Sequence, residues 1–400
     1  MTKRLYQIDS YRTTFESVVL RRFPEGEKVG IVLAETCFYP TSGGQYADHG
    51  NLGGVPIVDV RLDNDDIVHV LPSDPGGDRM VGEIDWTRRF DHMQQHSGQH
   101  VLSQSFLRIL NLNTVSAHLG SEVSTIELPA DKISQGELDD VENEANRTVL
   151  ECRAIRTVEM TSEKARSAGL RRASQRQGIL RVVEVDGYDL TACGGTHCRS
   201  TGEIGPIRIG RTERIRKQTR VEFLCGWRAL GDCRKHWMWL EEMSRDLGRK
   251  PEDVPGEMKR LSAEVSRSRK RLGELEKRVL KWQARELLEG ARVSGEVRVV
   301  EHLQRDISPD GLAALAGYLV SGSSVVALLG LRAETGYLVA ARSEDVDLDV
   351  NEILKAVLAR RSGRGGGTSR IARGGMNLKD LDAALRDLGE SVEAALGAGS

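Results

Sequence analysis

The sequence predicts an α+β protein built from four consecutive parts, and three patterns support this prediction. Short apolar and alternating runs separated by turn signals fill residues 1–90, which we expect to form a β-rich, barrel-like domain. Residues 91–236 mix helical and strand-like periods, as an α+β domain would. A heptad pattern marks 237–292 as a helical spacer, and alternating strands and helices across 293–400 predict an α/β domain.

Length, charge and cysteine content narrow the class of protein. The 400 residues carry 57 basic and 59 acidic side chains, so the net charge of −2 indicates no partner by itself. Six irregularly spaced cysteines, the lack of a signal peptide and the lack of a long apolar run predict a reduced, cytoplasmic protein that does not enter a membrane.

The first domain should contain a hairpin and a glycine turn. Val29–Leu33 is an apolar strand, while Ile57–Leu62 and Ile67–Leu71 flank the acidic turn 63–66. Ser42-Gly43-Gly44-Gln45 is typical of an ordinary turn, although glycines also let the backbone N–H groups approach a ligand.

The second domain should open with a helix from His92 to Leu110. Ser134 is placed to cap a second helix that begins at Glu137 and ends near Leu150. Strand-like runs occur at 123–128, 181–185 and 204–209. A largely antiparallel sheet covered by helices is the expected result.

Four residues of this domain predict a metal site. His96 and His100 lie four apart on one face of the first helix, and Cys193 and His197 flank Gly194-Gly195-Thr196, which suits a tight turn. Imidazole and thiolate donors suit Zn²⁺. The zincin glutamate is missing between the first two histidines, which excludes that class. Cys198 could compete with Cys193 as the thiolate.

Clusters of positive charge indicate a polyanion as partner. Lys164–Arg181 carries six basic residues and no acid, and 205–236 has nine basic and three acidic residues. A single run of this kind is usually a solvated face, but several runs beside a metal site favour RNA. The residues that we expect to contact RNA here are Arg171, Arg172, Arg216 and Lys217.

Apolar residues from Glu257 to Leu288 follow three- and four-residue steps, with Pro255-Gly256 marking a boundary before them. They predict a long helix or helical hairpin, acting as a spacer or as a homodimer contact. A helix packed on its own domain also fits fewer than four heptads.

The last domain should contain strands at 297–300, 324–329 and 336–341 and helices at 311–320, 350–359 and 378–388. The glycine-rich segment 361–376 can form an anion-binding nest, or simply a flexible loop or linker. Its basic residues, which we also expect to contact RNA, are Arg361, Arg364, Arg370 and Arg373.

Five ordered motifs resemble the editing half of alanyl-tRNA synthetases and the free-standing alanyl-tRNA editing proteins called AlaX. These motifs are Phe38–Gln45, His92–His100, Asp189–His197, Thr201–Gly205 and Arg220–Ala229. The glycine-rich segment resembles the signature of the DHHA1 domain that ends the synthetases and the long AlaX proteins. It departs from the common pattern by carrying Thr368-Ser369-Arg370 after the glycines.

The resemblance implies an aminoacyl-tRNA deacylase that uses zinc to hydrolyse mischarged tRNA(Ala), carrying serine above all and glycine in second place. Only about 90 residues precede the histidine pair, which is too few for an aminoacylation domain. With the resemblance, Thr41 and Gln45 become candidates for contacting the serine hydroxyl. His118 and Glu127 are candidate bases.

Two other functions stay open at this point. Four protein ligands normally make a closed, structural zinc site, so the chain could be a non-catalytic tRNA-binding protein. A zinc esterase or amidase that acts on small molecules also fits the ligands, although the basic runs argue against it.

Overall fold

The computed structural model describes residues 1–172 and 178–397, and it confirms the α+β class with several sheets and helices. The chain forms two compact units, Met1–Asp246 and Leu247–Ser400. The finer division into four domains, with boundaries at residues 90, 236 and 292, stays a prediction. Among the described residues, no helix is both long and apolar enough to cross a membrane.

The first unit begins with a mostly antiparallel β region. Its elements are β1 (Lys3–Arg4), α1 (Leu5–Ile8), β2 (Thr14–Glu25), β3 (Lys28–Leu33), β4 (Glu35–Thr36), β5 (Gly50–Leu52), β6 (Val55–Pro56), β7 (Asp59–Asp63), β8 (Asp66–Leu71) and β9 (Arg79–Ile84). Within the described chain, seven strands form one sheet in the order β6-β5-β9-β2-β3-β8-β7. Only Ile57 and Val58 separate the two edge strands β6 and β7, so the sheet must curl to bring its edges together.

The rest of the first unit surrounds one long helix. Its elements are α2 (Trp86–Leu110), β10 (Ser116–Leu119), β11 (Ser124–Leu128), α3 (Gln135–Leu150), β12 (Ile155–Thr161), α4 (Ser162–Ser167), β13 (Ile179–Val185), β14 (Asp189–Ala192), β15 (Ile207–Ile215), β16 (Gln218–Cys225) and α5 (Gly226–Leu247). Two antiparallel sheets, β10-β11-β16-β15 and β12-β13-β14, pack with α2 and α3 around a shared apolar core.

Local signals set the ends of the two core helices. Asp85 caps α2 by accepting a hydrogen bond from the Arg88 N–H, and Asn111 ends it in the left-handed conformation. The sequence predicted that this helix starts at His92, but it starts six residues earlier, at Trp86. Ser134 caps α3 as predicted, and its reciprocal hydrogen bonds with Glu137 form a capping box. The helix begins at Gln135, two residues before the predicted start at Glu137.

A buried ion pair joins α2 to the N-terminal sheet. Arg89 is fully buried and bonds both carboxylate oxygens of Asp48, and it also donates to the carbonyls of Ser10 and Cys37. Asp48 in turn accepts from the Tyr39 N–H at 2.6 Å. Because every polar atom of the pair has a partner, the pair fixes the sheet against the helix that carries His96.

The second unit is a six-stranded sheet in the described chain, with helices on its faces. Its elements are α6 (Val254–Glu289), β17 (Arg292–Ser294), β18 (Val297–Gln304), α7 (Pro309–Leu319), β19 (Val325–Arg332), β20 (Gly336–Arg342), α8 (Val350–Ala359), β21 (Arg364–Gly367), β22 (Ile371–Met376) and α9 (Leu381–Gly397). The order is β17-β18-β19-β20-β22-β21, and β18 and β19 form a parallel pair. The predicted heptad stretch is one continuous helix, α6.

The apolar seam of α6 lies largely at the surface. Leu280 and Ala284 pack against α7, whereas the seam residues before them are exposed, namely Met258, Val265, Leu272, Leu275 and Val279. The homodimer expected from the heptads stays a prediction.

The glycine-rich segment is a β-hairpin, which differs from the predicted nest or flexible loop. Strands β21 and β22 pair with each other, and β22 also pairs with β20, so ladder hydrogen bonds use much of its backbone. The glycines fit because side chains at Gly365 and Gly367 would meet the backbone of the partner strand at 2.5 Å and 2.2 Å. Arg361 binds Asp387, Arg370 lies 3.5 Å from Glu344 and Arg373 lies 3.4 Å from Asp310, while Arg364 is exposed.

Replacement of Asp48 by alanine should lower the free energy of unfolding by about 3–5 kcal/mol, because it leaves the Arg89 guanidinium buried without its carboxylate. Urea denaturation measures this loss. As a control, Glu16→Ala removes the acid of the exposed Arg79–Glu16 pair and should change stability by less than about 1 kcal/mol. Equal losses for the two variants would contradict the role given to the buried pair.

Candidate metal centre

The structure brings together the four residues that the sequence predicted as metal ligands. One donor atom from each of His96, His100, Cys193 and His197 lies within 4.8 Å of all the others. The first two stand one turn apart on α2, while Cys193 directly follows β14 and His197 lies in the loop beyond it. The Sγ atom of Cys193 is 3.3 Å from Nε2 of His96 and 3.3 Å from Nε2 of His197.

The loop between the last two ligands depends on a glycine and an arginine. A Cβ atom at Gly195 would lie 2.2 Å from Cε1 of His96, so only glycine lets the loop pass this close to the imidazole. Arg181 on β13 donates from Nη1 to the carbonyls of Cys193 and Gly195, at 2.8 and 2.9 Å. These contacts hold the loop in place beside α2.

Each histidine of the cluster has a second partner on its other ring nitrogen. Nδ1 of His96 lies 2.8 Å from Oε1 of Gln45, and Nδ1 of His100 lies 3.3 Å from Oδ2 of Asp189. Nδ1 of His197 lies 3.3 Å from Oγ of Ser97. Such partners fix the ring orientation and leave Nε2 facing the cluster, which is the arrangement found around histidine ligands of metals.

The electrostatics of the cluster favour the protonation states that bind a metal. Burial lowers the pKa of His96 to about 4, and burial followed by the charge of His96 lowers that of His197 well below its usual value. Burial alone would raise the pKa of the Cys193 thiol, but the hydrogen bond and charge of His100 outweigh it, so the pKa falls. For His96, His197 and Cys193, these shifts favour the neutral imidazoles and the thiolate that a metal requires.

The donor set and its spacing fit Zn²⁺. A tetrahedral zinc with Zn–N bonds of about 2.0–2.1 Å and a Zn–S bond of about 2.3 Å separates neighbouring donors by roughly 3.3–3.6 Å. The observed 3.3 Å sulfur–nitrogen contacts of Cys193 lie within about 0.3 Å of the roughly 3.6 Å expected for such a pair of ligands. Cys198 lies outside the cluster, and its buried thiol has a pKa raised to about 12 by desolvation.

The two residues considered for substrate contact differ in what they can still bind. Gln45 is fully buried, and its Nε2 donates to Oγ1 of Thr196 while its Oε1 faces His96. The turn before it requires Gly43 and Gly44 at positive φ, and Ser42 pairs with Gln45 across it. Thr41 is exposed, and its hydroxyl oxygen accepts from the Ala47 N–H, which leaves the hydroxyl proton for another partner.

The candidate bases lie on the neighbouring sheet. Glu127 on β11 accepts from the Ser116 hydroxyl and from Arg220, and these two hydrogen bonds lower its pKa. A carboxylate held in this way is a weak base. His118 on β10 is exposed and lies 3.5 Å from the Tyr46 hydroxyl.

The residues expected to contact RNA are not equally available. Arg171 is buried against Asp189, where it supports the partner of His100, so it serves the metal cluster. Arg172 is exposed, and Arg216 and Lys217 form the exposed turn between β15 and β16. The part of the basic run at 173–177, with Arg176, lies outside the described residues.

Sequence reasoning identified the four residues that cluster, but not all the residues around them. Asp189 stands four residues before Cys193 in a motif that the sequence singled out, and its role needed the fold that places it beside His100. Ser97 directly follows a ligand, so only the loop carrying His197 reveals its contact.

The chain is similar to a family of tRNA synthetase domains and to an alanyl-tRNA editing protein. The family described as "Threonyl and Alanyl tRNA synthetase second additional domain" matches residues 180–221, which include Cys193 and His197. The "Alanyl-tRNA editing protein AlaX-L" of Pyrococcus horikoshii is 28% identical to this chain, and the alignment covers 97% of the chain and 98% of that protein.

Two ligases are similar over nearly the same range. The alanine–tRNA ligase of Pyrococcus abyssi is 32% identical, over 96% of this chain and 42% of the ligase. That of Methanoregula boonei is 33% identical, over 99% of this chain and 44% of the ligase. The chain therefore spans less than half the length of these ligases and almost the whole length of the editing protein.

Replacement of Gln45 by leucine should weaken zinc binding by about 10–100-fold, because it removes the acceptor that orients His96. Competition against a colorimetric chelator measures the dissociation constant. The control is Gln135→Leu, at an exposed glutamine that bonds Asp139 on the surface of α3. If Gln45→Leu and Gln135→Leu bound zinc equally well, Gln45 would not orient the ligand.

Proposed function

We propose that this chain, which is similar over nearly its whole length to a long alanyl-tRNA editing protein of the AlaX type, is an aminoacyl-tRNA deacylase acting on mischarged tRNA(Ala). The proposed substrate is chiefly the seryl ester, with the glycyl ester second. The observation that carries this proposal is the cluster of His96, His100, Cys193 and His197 in a chain that aligns with an editing protein from end to end.

The proposed cofactor is Zn²⁺ held by these four side chains, and when bound it would polarise the ester carbonyl. The residues around the metal site hold its ligands in fixed positions. Gln45, Asp189 and Ser97 hold the three imidazoles, and Arg181 holds the loop between Cys193 and His197. Such preorganisation keeps the reacting groups in place.

Selection of serine over alanine requires a polar partner for one hydroxyl. A pocket that hydrogen-bonds this hydroxyl disfavours alanine, because its own polar group would then lose a partner. The exposed hydroxyl of Thr41 can still donate a hydrogen bond, whereas both polar atoms of the Gln45 side chain already have partners. We therefore assign serine recognition to Thr41 and give Gln45 the task of orienting His96.

One observation favours a second function. Four protein ligands make a closed site of the structural type, whereas a catalytic zinc keeps one position open. A non-catalytic tRNA-binding protein with a structural zinc would have this ligand set. Under that alternative, Cys193→Ala would unfold the domain, whereas under the editing proposal it would abolish hydrolysis and leave the fold in place.

The RNA contacts and the homodimer belong to this proposal too. Arg172, Arg216, Lys217 and Arg364 are exposed and can meet phosphates, while Arg361, Arg370 and Arg373 would first have to leave their acidic neighbours. A tRNA substrate implies the cytoplasmic location expected from the sequence. A homodimer would use the exposed seam of α6.

Deacylation of purified seryl-, glycyl- and alanyl-tRNA(Ala) tests the proposal. The native chain should hydrolyse the seryl and glycyl esters and spare the alanyl ester. Thr41→Val should reduce kcat/KM for seryl-tRNA(Ala) by roughly tenfold or more, because one hydrogen bond to the hydroxyl is lost, with little change for the glycyl ester.

The matched control for this variant is Thr14→Val, at an exposed threonine of β2. It should leave all three rates unchanged. An unaltered preference for serine in Thr41→Val would remove the assignment of Thr41. The absence of hydrolysis of any ester by zinc-loaded native chain would instead support the structural role of the metal.

A further inference from the structure

A cavity in the first unit is lined in part by Arg181, the residue that bonds the loop carrying Cys193. Its volume is about 640 Å³, within the roughly 300–1,000 Å³ typical of ligand sites. The start of the chain, from β1 into α1, forms one wall, and strands β12 and β13 form the other. Arg4, Gln7, Thr157, Glu159 and Arg181 are among the lining residues.

Two arginines on the lining of this cavity, Arg4 and Arg181, each have one buried N–H group without a hydrogen-bond partner in the described part of the chain. Nε of Arg4 and Nε of Arg181 are both buried and have no hydrogen-bond partner among residues 1–172 and 178–397. Buried donors without partners are costly, and a bound water, ion or ligand oxygen is one way to supply the missing acceptor. Two such donors on the lining of one cavity indicate a ligand that accepts hydrogen bonds.

The charge of the lining defines that ligand further. Lys3, Arg4 and Arg181 contribute three positive charges, against the single carboxylate of Glu159. Lys3 lies 3.4 Å from Glu35 at the surface, so the two arginines dominate the interior. Planar guanidinium groups match the oxygens of a phosphate, which accepts several charge-assisted hydrogen bonds.

Arg181 links the cavity to the metal cluster. Its Nη1 donates to the carbonyls of Cys193 and Gly195, its Nη2 lies 3.3 Å from the Thr157 hydroxyl, and its buried Nε has no hydrogen-bond partner among the described residues. An anion beside Nε would therefore lie one side chain away from the loop of a metal ligand.

We propose that this cavity binds a backbone phosphate in the single-stranded 3′ end of the RNA substrate, through Arg4 and Arg181. This inference rests on the proposed function, because the ester to be hydrolysed is attached to the last nucleotide of that strand. Each further nucleotide adds one phosphate, so a strand whose end reaches the metal cluster must place nearby phosphates against adjoining surfaces. The cavity offers such a surface with positive charge and free donors.

The test measures binding of an RNA hairpin that has the single-stranded 3′ end but carries no amino acid. Because there is no ester to cleave, the outcome does not depend on hydrolysis. Arg4→Gln in the full chain should weaken binding by about tenfold, the effect of losing one charge-assisted hydrogen bond of about 1.4 kcal/mol. The slope of log K against log salt should also become shallower by about 0.7. Arg4→Lys, which retains the charge, should bind more tightly than Arg4→Gln.

The matched control is Arg156→Gln, because Arg156 is an exposed arginine on β12 whose side chain alternates to the face opposite Thr157. Its binding should change by less than about twofold. A second arm replaces single phosphodiesters of the RNA with neutral methylphosphonates. At one position the neutral linkage should weaken binding to the native chain and add no further loss in Arg4→Gln, because both changes remove the same contact.

Three outcomes would overturn this inference. In the first, Arg4→Gln and Arg156→Gln weaken RNA binding equally. In the second, every neutral linkage weakens RNA binding by the same factor in Arg4→Gln as in the native chain. In the third, Arg4→Gln loses binding of inorganic phosphate but binds RNA as tightly as the native chain. The proposed function fails separately. If the chain bound RNA through Arg4 but hydrolysed no ester, the phosphate site would stand and the proposed deacylase activity would be wrong. If the chain hydrolysed the esters normally but bound RNA equally well without Arg4, the activity would stand and the phosphate site would be wrong.

Discussion

The site depends on one constraint: a histidine that points Nε2 at a metal keeps its ring orientation when Nδ1 has a hydrogen-bond partner. The three histidines of the cluster meet this constraint with Gln45, Asp189 and Ser97 on their outer nitrogens. Those partners come from the N-terminal turn, from the start of β14 and from α2 itself. Loss of any one would free a ring to rotate, so the whole unit is needed to keep four donors together.

The same logic explains why the first unit folds as it does. Helix α2 buries many polar side chains, and the free-energy cost of removing them from water is offset because neighbouring elements supply their hydrogen bonds. Gln95, for example, exchanges two hydrogen bonds with the backbone of Cys225 at the end of β16. The fully buried Arg89–Asp48 pair then locks the N-terminal sheet to the helix, which brings Gln45 to His96.

The clustering of the four candidate ligands could be predicted from the sequence because spacing carries the information: His96 and His100 are one helical turn apart, and two glycines mark the loop before His197. The role of Gln45 could not, since its contact with His96 joins residues 51 positions apart and depends on how the sheet meets the helix. The glycine-rich segment 361–376 was misleading for another reason. Glycine usually indicates a loop, but Gly365 and Gly367 sit where a partner strand comes too close for any side chain.

The central claim is that the four-residue cluster is a metal centre on which ester hydrolysis depends. The most direct measurement removes metal from the full chain with a chelator, adds Zn²⁺ back in steps, and follows bound zinc and seryl-tRNA(Ala) hydrolysis in the same samples. We expect the rate to rise in proportion to bound zinc and to level off at one zinc per chain, with the fold retained throughout. Full activity without zinc, or one bound zinc per chain without hydrolysis, would contradict it.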